Sequence, residues 1–328
     1  MTLYPKITPA KLAGGAGLLA FLIILPMIFN ATGFTYGITI ACFVGIYIIA
    51  VSGVDIVFGY CGQISMGHAA FYAIGAYGSA LLAKHMGLPI IVTMFLAPMI
   101  AAALGALLAY PASKLVFHFL SLATIAFGEI VYQLILQSPG GITGNAVGLP
   151  VKKLAIFGFT LNNSFRFYYA ALVFVLLFML IKTNLVNSRV GRSFIAIREN
   201  THAAEGMGID VRKYKIIAFS TSAFFTAFAG AMYGHFAGYI SADTFTNKQS
   251  VLFITMLLFG GTASRSGPII GALAVLLLNE MLRSMENLQM LVYGVLLLVV
   301  ILLLPGGIFG MMKDIYHKYV KKGDKTNA

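Results

Sequence analysis

Residues 12–54 read LAGGAGLLAFLIILPMIFNATGFTYGITIACFVGIYIIAVSGV, and no charged side chain interrupts them between Lys11 and Asp55. A membrane-crossing helix needs about 20 mostly apolar residues, so these 43 are enough for two. The break between them falls at Asn30–Tyr36, which is polar and holds Gly33. The rest of the chain continues in the same vein. Its 328 residues are 59% hydrophobic and 10% charged, with a mean hydropathy of +0.91. Soluble domains carry about 25% charged residues, and one of this length has too little interior to hide so much apolar surface. The composition therefore excludes an ordinary soluble enzyme, a disordered chain and a nucleic-acid-binding domain. It specifies an all-α polytopic membrane protein.

Spans are predicted at about 12–30, 37–53, 67–84, 88–111, 115–137, 167–184, 216–239, 248–264, 268–284 and 288–305, about ten transmembrane or re-entrant helices. Those at 167–184, 248–264 and 268–284 are short, so one of them is a candidate re-entrant segment. Basic residues concentrate in cytoplasmic loops. With the amino terminus in the cytoplasm, sixteen of the 22 basic residues fall inside, Lys182 among them. Only Lys84, Lys152, Lys153, Arg166, Lys248 and Arg283 fall outside. The reversed orientation places most of the charge outside, so both termini are expected in the cytoplasm. The net charge of +12 then reflects loop orientation and implies no nucleic-acid partner. Lys6 and Lys11 precede a stretch too long for a signal-peptide core, which reads as a retained first span. Cys42 and Cys61 sit in apolar surroundings and read as small core residues.

Two loops are too long to be simple connectors. One is external, at about 138–166, and the other cytoplasmic, at about 185–215. The cytoplasmic loop reads as a short helix over Arg192–Glu199 and a second over about His202–Met207. Asn200 or Thr201 supplies an N-cap between them. Gly208 stops the second helix, and Asp210 caps the helix that enters the membrane. Ala203 and Ala204 make a smooth surface that a groove on another protein can grip. Arg189, Arg192 and Arg198 can pair with acids on such a partner, or with anionic lipid headgroups; the two readings are compatible.

Within the spans, Ser222, Thr226, Gly230, Gly234 and Gly238 recur every four residues. Small residues at that spacing let helices approach closely; a substrate-lining face is the competing reading. The segment 59–68, GYCGQISMGH, cannot easily form continuous helix. Broken backbone at membrane depth is tolerated only inside protein or along a watery cavity, and often marks a transporter's substrate site. A cytoplasmic turn is the alternative. Gly62, Gln63, Ser65, Gly67 and His68 are therefore candidate path residues. A second glycine-rich segment runs from Gly260 to Gly271. Glu129 falls in the middle of its span. A carboxylate there is costly unless paired, protonated or hydrated, so it is either a path residue or an internal hydrogen-bonded strut. Glu280 lies nearer a span end, and Asp55 can cap the broken segment.

No Lys follows a Gly anywhere, so a phosphate-binding loop is not expected. The histidines at 68, 85, 118, 202, 235 and 317 lack metal-ligand spacing, and no metal or cofactor is expected. No nucleophile elbow or catalytic carboxylate pair is recognisable. The glycosylation-type matches at Asn30 and Asn162 are short enough to arise by chance.

The run from Gly59 to Phe71, GYCGQISMGHAAF, resembles a signature of the permeases of branched-chain amino acid ABC importers. LATIAFGEI, from Leu122 to Ile130, is similar to that family's "TLAFGEI" segment. The run from Gly191 through Asn200, Ala204 and Gly208 to Ile209 resembles its cytoplasmic loop, and Phe259 through Gly261 to Gly267, Pro268 and Gly271 its late glycine-rich segment. These matches run in order over about residues 40–310, and the second of them, with the long external loop, is similar to the LivM-type branch. The resemblance implies one transmembrane permease domain over 1–328 in a bacterial inner membrane. It implies as partners a second, LivH-type permease, two cytoplasmic ATPases that carry the ATP chemistry, and an extracytoplasmic substrate-binding protein. It implies ATPase coupling through Arg192, Arg198, Glu199, Ala203, Ala204 and Gly208. The loop departs from the coupling pattern of other ABC importers: Ala203 and Ala204 precede Glu205 instead of following a Glu, and no Leu-Pro ends it. The implied activity is ATP-driven import of Leu, Ile and Val by alternating access. Permeases for urea or short-chain amides share the pattern. A solitary proton-coupled transporter with Glu129 as carrier, and less so a membrane enzyme, are the readings from other classes.

Overall fold

The structure is a computed structural model that describes residues 9–112, 117–156, 159–161 and 163–282, with isolated helical positions between 291 and 298. The helices run α1 (Pro9–Ala31), α2 (Thr35–Asp55), α3 (His68–His85), α4 (Ile90–Ala112), α5 (Phe117–Gln137), α6 (Ser164–Asn187), α7 (Arg189–Glu199), α8 (Thr201–Gly206), α9 (Val211–Ala237), α10 (Asn247–Gly260) and α11 (Gly267–Leu282). Short π and 3-10 turns and four two-residue strands lie between them: β1 (Leu149–Pro150), β2 (Ala155–Ile156), β3 (Phe159–Thr160) and β4 (Tyr239–Ile240). β1 pairs antiparallel with β4, and β2 with β3. The chain is thus all-α with minimal sheet. The first nine predicted spans each coincide with a helix, and the tenth, 288–305, lies largely outside the described residues.

Five described helices are long and apolar enough to cross a membrane: Thr35–Tyr60, Ile90–Pro111, Phe119–Gln137, Ser164–Asn187 and Val211–Ala237. α3 is different. Twelve of its 18 residues are buried, so its polar and small side chains face other helices.

α9 occupies the centre, packed on α2, α3 and α4. The crossing with α3 is backbone against backbone. A Cβ at Gly230 would run into the Tyr72 carbonyl oxygen, and one at Gly75 into that of Ala227. The four-residue stripe of α9 thus faces helices. Ser222 reaches α3, and Thr226 lies against Gly53 of α2. Gly238 leaves the stripe: at φ +74° it ends α9 in a left-handed turn.

Two interruptions shape the middle of the bundle. After α2 the chain makes a π-helical turn over Ile56–Tyr60, and Cys61 N–H donates to the Ile56 carbonyl at 3.2 Å. Residues 61–67 are then non-helical until α3. The second interruption precedes α10, where Phe245 from a short 3-10 turn packs on the rings of Tyr72 and Tyr77 at 5.7 and 5.6 Å. α10 itself has 14 residues, about 21 Å at 1.5 Å per residue. That is shorter than the ~30 Å hydrocarbon core, so α10 is too short to cross alone.

Candidate functional site

The non-helical segment 61–67 and the first turn of α3 are held by α5, α9 and α10. Met66 N–H donates to Thr124 Oγ1 of α5 at 3.0 Å, and Ala69 N–H to Ser250 Oγ of α10 at 2.8 Å. Gly67 lies so close to α5 that a Cβ there would stand 2.6 Å from the Thr124 carbonyl oxygen. His68 is 1% exposed. Its Nδ1 lies 3.3 Å from the Ser65 carbonyl and its Nε2 2.8 Å from Ser222 Oγ. A carbonyl only accepts, so Nδ1 donates to Ser65, and Nε2 shares a hydrogen bond with the Ser222 hydroxyl. The imidazole ties the start of α3 to α9.

One turn before the break lies a buried ion pair. Lys182 Nζ of α6 stands 2.7 Å from Asp55 Oδ2 at the end of α2, and neither residue is more than 1% exposed. The other carboxylate oxygen, Oδ1, accepts from Ala263 N–H at 2.8 Å, and Lys182 also donates to the Ser264 carbonyl at 3.2 Å. The pair therefore ties α2 and α6 to the turn between α10 and α11. Sequence reasoning counted Lys182 among the cytoplasmic charges without a partner and gave Asp55 a capping role. The structure buries both and pairs them, and Asp55 makes no side-chain cap at the start of the π-helical turn. The signal that identifies the pair is Lys182 itself, a cation followed by only a few residues before the loop and still within the helical run of α6.

Next to this pair sits α7, which leads into α8. Ser188 caps α7, its Oγ accepting from Val190 and Gly191 N–H, so the helix begins three residues before the predicted Arg192. Asn200 Oδ1 accepts from Ala203 N–H at 3.0 Å to start α8. Gly208 turns the chain at φ +81°, and Asp210 Oδ1 accepts from Lys213 N–H to start α9. Arg192, Glu199 and Ala203 are exposed, whereas Ala204 is 2% exposed and faces the bundle. Arg198 is exposed as well, yet its Nη1 donates to the Gly59 carbonyl at 2.6 Å, and its Cγ packs where a Cβ on Gly62 would stand.

α5 presents the remaining predicted residue. Glu129 is exposed near the middle of the helix, and its Oε1 accepts from Gln133 Nε2 one turn on at 2.9 Å. The same helix exposes Leu122, Ile130 and Leu134. Gly128, one residue earlier, faces inward against Asn247 and Gly67. Glu129 is thus not a strut between described helices; it lies on an outward face immediately beside the broken segment. At the end of the bundle opposite α7 and α8, a cavity of about 710 Å³ is lined by Thr35, Tyr36, Thr39, Asn163, Ser164 and Arg166.

The arrangement is a broken helix pair within a membrane-length bundle, flanked by exposed loop helices. Residues 36–301 match the protein family described as branched-chain amino acid transport system, permease component. The chain belongs to the LivM-type branched-chain amino acid transport permeases. The high-affinity branched-chain amino acid transport system permease protein LivM of Escherichia coli (strain K12) is 30% identical over 300 residues, which cover 84% of this chain and 70% of that protein. The LivM protein of Salmonella typhimurium matches equally, at 30% over 300 residues. A probable LivM permease of Methanocaldococcus jannaschii is 25% identical over 234 residues, 67% of this chain and 68% of the relative. No solved structure matches significantly.

In this permease, Gly62, Gln63, Ser65, Gly67 and His68 form one continuous element, with Glu129 beside it across Gly128. Arg192, Arg198, Glu199, Ala203 and Gly208 are exposed on the loop helices and the turn that follows them, with Arg198 also bonded to Gly59, while Ala204 is turned toward the body. Among the described residues no group of three or more His, Cys, Asp or Glu side chains is placed to hold a metal ion.

Proposed function

We propose that the permease is the LivM-type subunit of an ATP-driven importer of Leu, Ile and Val in a bacterial inner membrane, with both termini in the cytoplasm. It works with a LivH-type permease, two cytoplasmic ATPases and an extracytoplasmic binding protein. The observation that carries this reading is Glu129. A helix long enough to span the bilayer exposes a carboxylate at its centre, and such a charge facing lipid costs several kcal/mol. An outward α5 face of this kind is suited to a second subunit and a hydrated path between the two.

In the proposed mechanism α7 and α8 sit on the ATPases, and closure of the ATPase pair moves them. The break at 61–67 and the start of α3 then shift relative to α5, which opens the Glu129 face alternately to the two sides. ATP drives this only if the ATPases bind it more tightly in one conformation than in the other. The broken segment supplies backbone dipoles and hydroxyls for a polar amino-acid backbone, while the apolar side chains of α5 suit a branched aliphatic group.

Affinity purification of the tagged permease from its native membrane, followed by mass spectrometry, is expected to recover a second permease and two ATPases. Recovery of the chain alone, under detergent conditions that preserve a control ABC complex, overturns the reading in favour of a solitary transporter. Titrating the co-encoded binding protein with Leu, Ile, Val and urea then fixes the substrate. Glu129→Gln is expected to lower uptake about tenfold, the scale of one charge-assisted hydrogen bond, with assembly unchanged. Unchanged uptake returns Glu129 to a passive place on the surface of α5.

A further inference from the structure

The buried Asp55–Lys182 pair has no place in the path or in the docking surface, yet it joins more elements than any other polar contact described above. Taking two opposite charges out of water costs more than their attraction returns unless further hydrogen bonds complete the site. An apolar pair of similar volume would hold α2 against α6 as firmly. What the ion pair supplies instead is direction. Both carboxylate oxygens are engaged, one by Lys182 and one by the Ala263 N–H, and Lys182 reaches on to the Ser264 carbonyl. The carboxylate can therefore take up only one orientation relative to α6 and the α10–α11 turn.

The same carboxylate lies directly against Gly59. A Cβ at that position would collide with Asp55 Oδ1 and stand 2.6 Å from the Ala263 nitrogen. The Gly59 carbonyl in turn takes the Arg198 guanidinium at 2.6 Å. So a single chain of direct contacts leads from α7 through Arg198 and Gly59 to Asp55, and from there to α6 and to the α10–α11 turn. Its middle link, Ile56–Tyr60, is π-helical, a form with looser backbone geometry that concentrates at functional positions.

We propose that Asp55 and Lys182 are positioning residues for energy coupling, a junction through which displacement of α7 moves α2, α6 and the α10–α11 turn together. This deepens the importer reading above and rests on it. Neither residue touches substrate; each acts by fixing where the broken segment sits when α7 moves.

The test uses the complete importer, with its ATPases and binding protein, reconstituted in proteoliposomes, and reads uptake per ATP hydrolysed. The Asp55→Asn/Lys182→Met double variant removes both charges and leaves neither one orphaned. It is expected to assemble and to hydrolyse ATP at close to the unmodified rate while uptake per ATP falls about tenfold, within the usual range of coupling between sites. A merely structural pair lowers yield and both activities in parallel. Uptake per ATP that matches the unmodified complex overturns the junction. If the double variant is not recovered in the membrane, Lys182→Arg decides, because it keeps the buried charge paired, lies outside the loop helices and alters only the geometry of the junction. It is expected to retain the ATPases and to lose uptake per ATP to a similar extent; normal coupling in that variant overturns the proposal. An unmodified complex whose uptake needs no ATP overturns the importer reading itself, and the junction falls with it.

Discussion

Gly230→Val is expected to abolish recovery of folded permease from the membrane. The hydrogen of Gly230 faces the Tyr72 carbonyl oxygen, and the reciprocal contact sets Gly75 against the Ala227 carbonyl. Both obstructing atoms are backbone, so no rotamer change makes room. To admit the valine, α3 and α9 must separate, and α9 is the helix on which α2, α3 and α4 all pack. Overpacking a tight core costs about 1–3 kcal/mol even where side chains can adjust, and here the cost is expected at or above the top of that range. Lipid offers no compensating apolar drive, because in a membrane close packing itself holds helices together. Gly206→Ala in α8 is the control, since a Cβ there meets nothing within 4 Å. Fluorescence-detected size exclusion in detergent measures both. A monodisperse Gly230→Val peak with an unshifted melting temperature refutes the close-packing account.

The second large effect concerns the buried pair. Lys182→Ala alone leaves Asp55, 0% exposed, without its counter-ion. Breaking a buried pair from one side costs about 3–5 kcal/mol, whereas replacing both partners by uncharged residues of similar shape is often neutral or better. The single variant is therefore expected to lose most of its thermal stability in detergent, and Asp55→Asn/Lys182→Met is expected to recover it. Equal melting temperatures for the single variant and the unmodified chain would mean that water or another cation reaches Asp55. A double variant as unstable as the single would mean that the hydrogen bonds to Ala263 and Ser264 dominate over the charges.

The two predictions separate what each helix face is for. On α9 the constraint is steric and sharpest at Gly230, whereas a Cβ at Gly234 would meet only ordinary contacts at 3.5 Å and beyond. At the end of α2 it is electrostatic and local, and it falls on the segment that Arg198 also grips.

How much of this was legible in the sequence varies from one residue to the next. The membrane class followed from composition, because 10% charge leaves no soluble alternative. The loop helices followed from local chemistry. Asn200, Gly208 and Asp210 act within three or four residues of themselves, so their caps and turns were readable without knowing the fold. The break after α2 was readable for the same reason, since three glycines and several polar side chains in ten residues defeat a helix wherever it is placed. The start of α7 was placed three residues late, because Ser188, which caps it, was not read as a cap.

The tertiary structure alone decided everything that depends on which way a helix faces. Apolar residues ring the spans on all sides, and in a membrane the core and the lipid are equally apolar, so hydrophobic pattern does not single out the buried face. That is why Glu129 was readable as mid-span but not as outward, and why Ala204 was readable as small but not as turned to the bundle. The partners of Asp55, Arg198 and His68 lie 127, 139 and 154 residues away in sequence. A charge count sorts such residues by side of the membrane and has no means of pairing them. Lys182 was counted with the cytoplasmic charges by its place at the end of a span; the fold sets it inside the bundle against its counter-ion on α2.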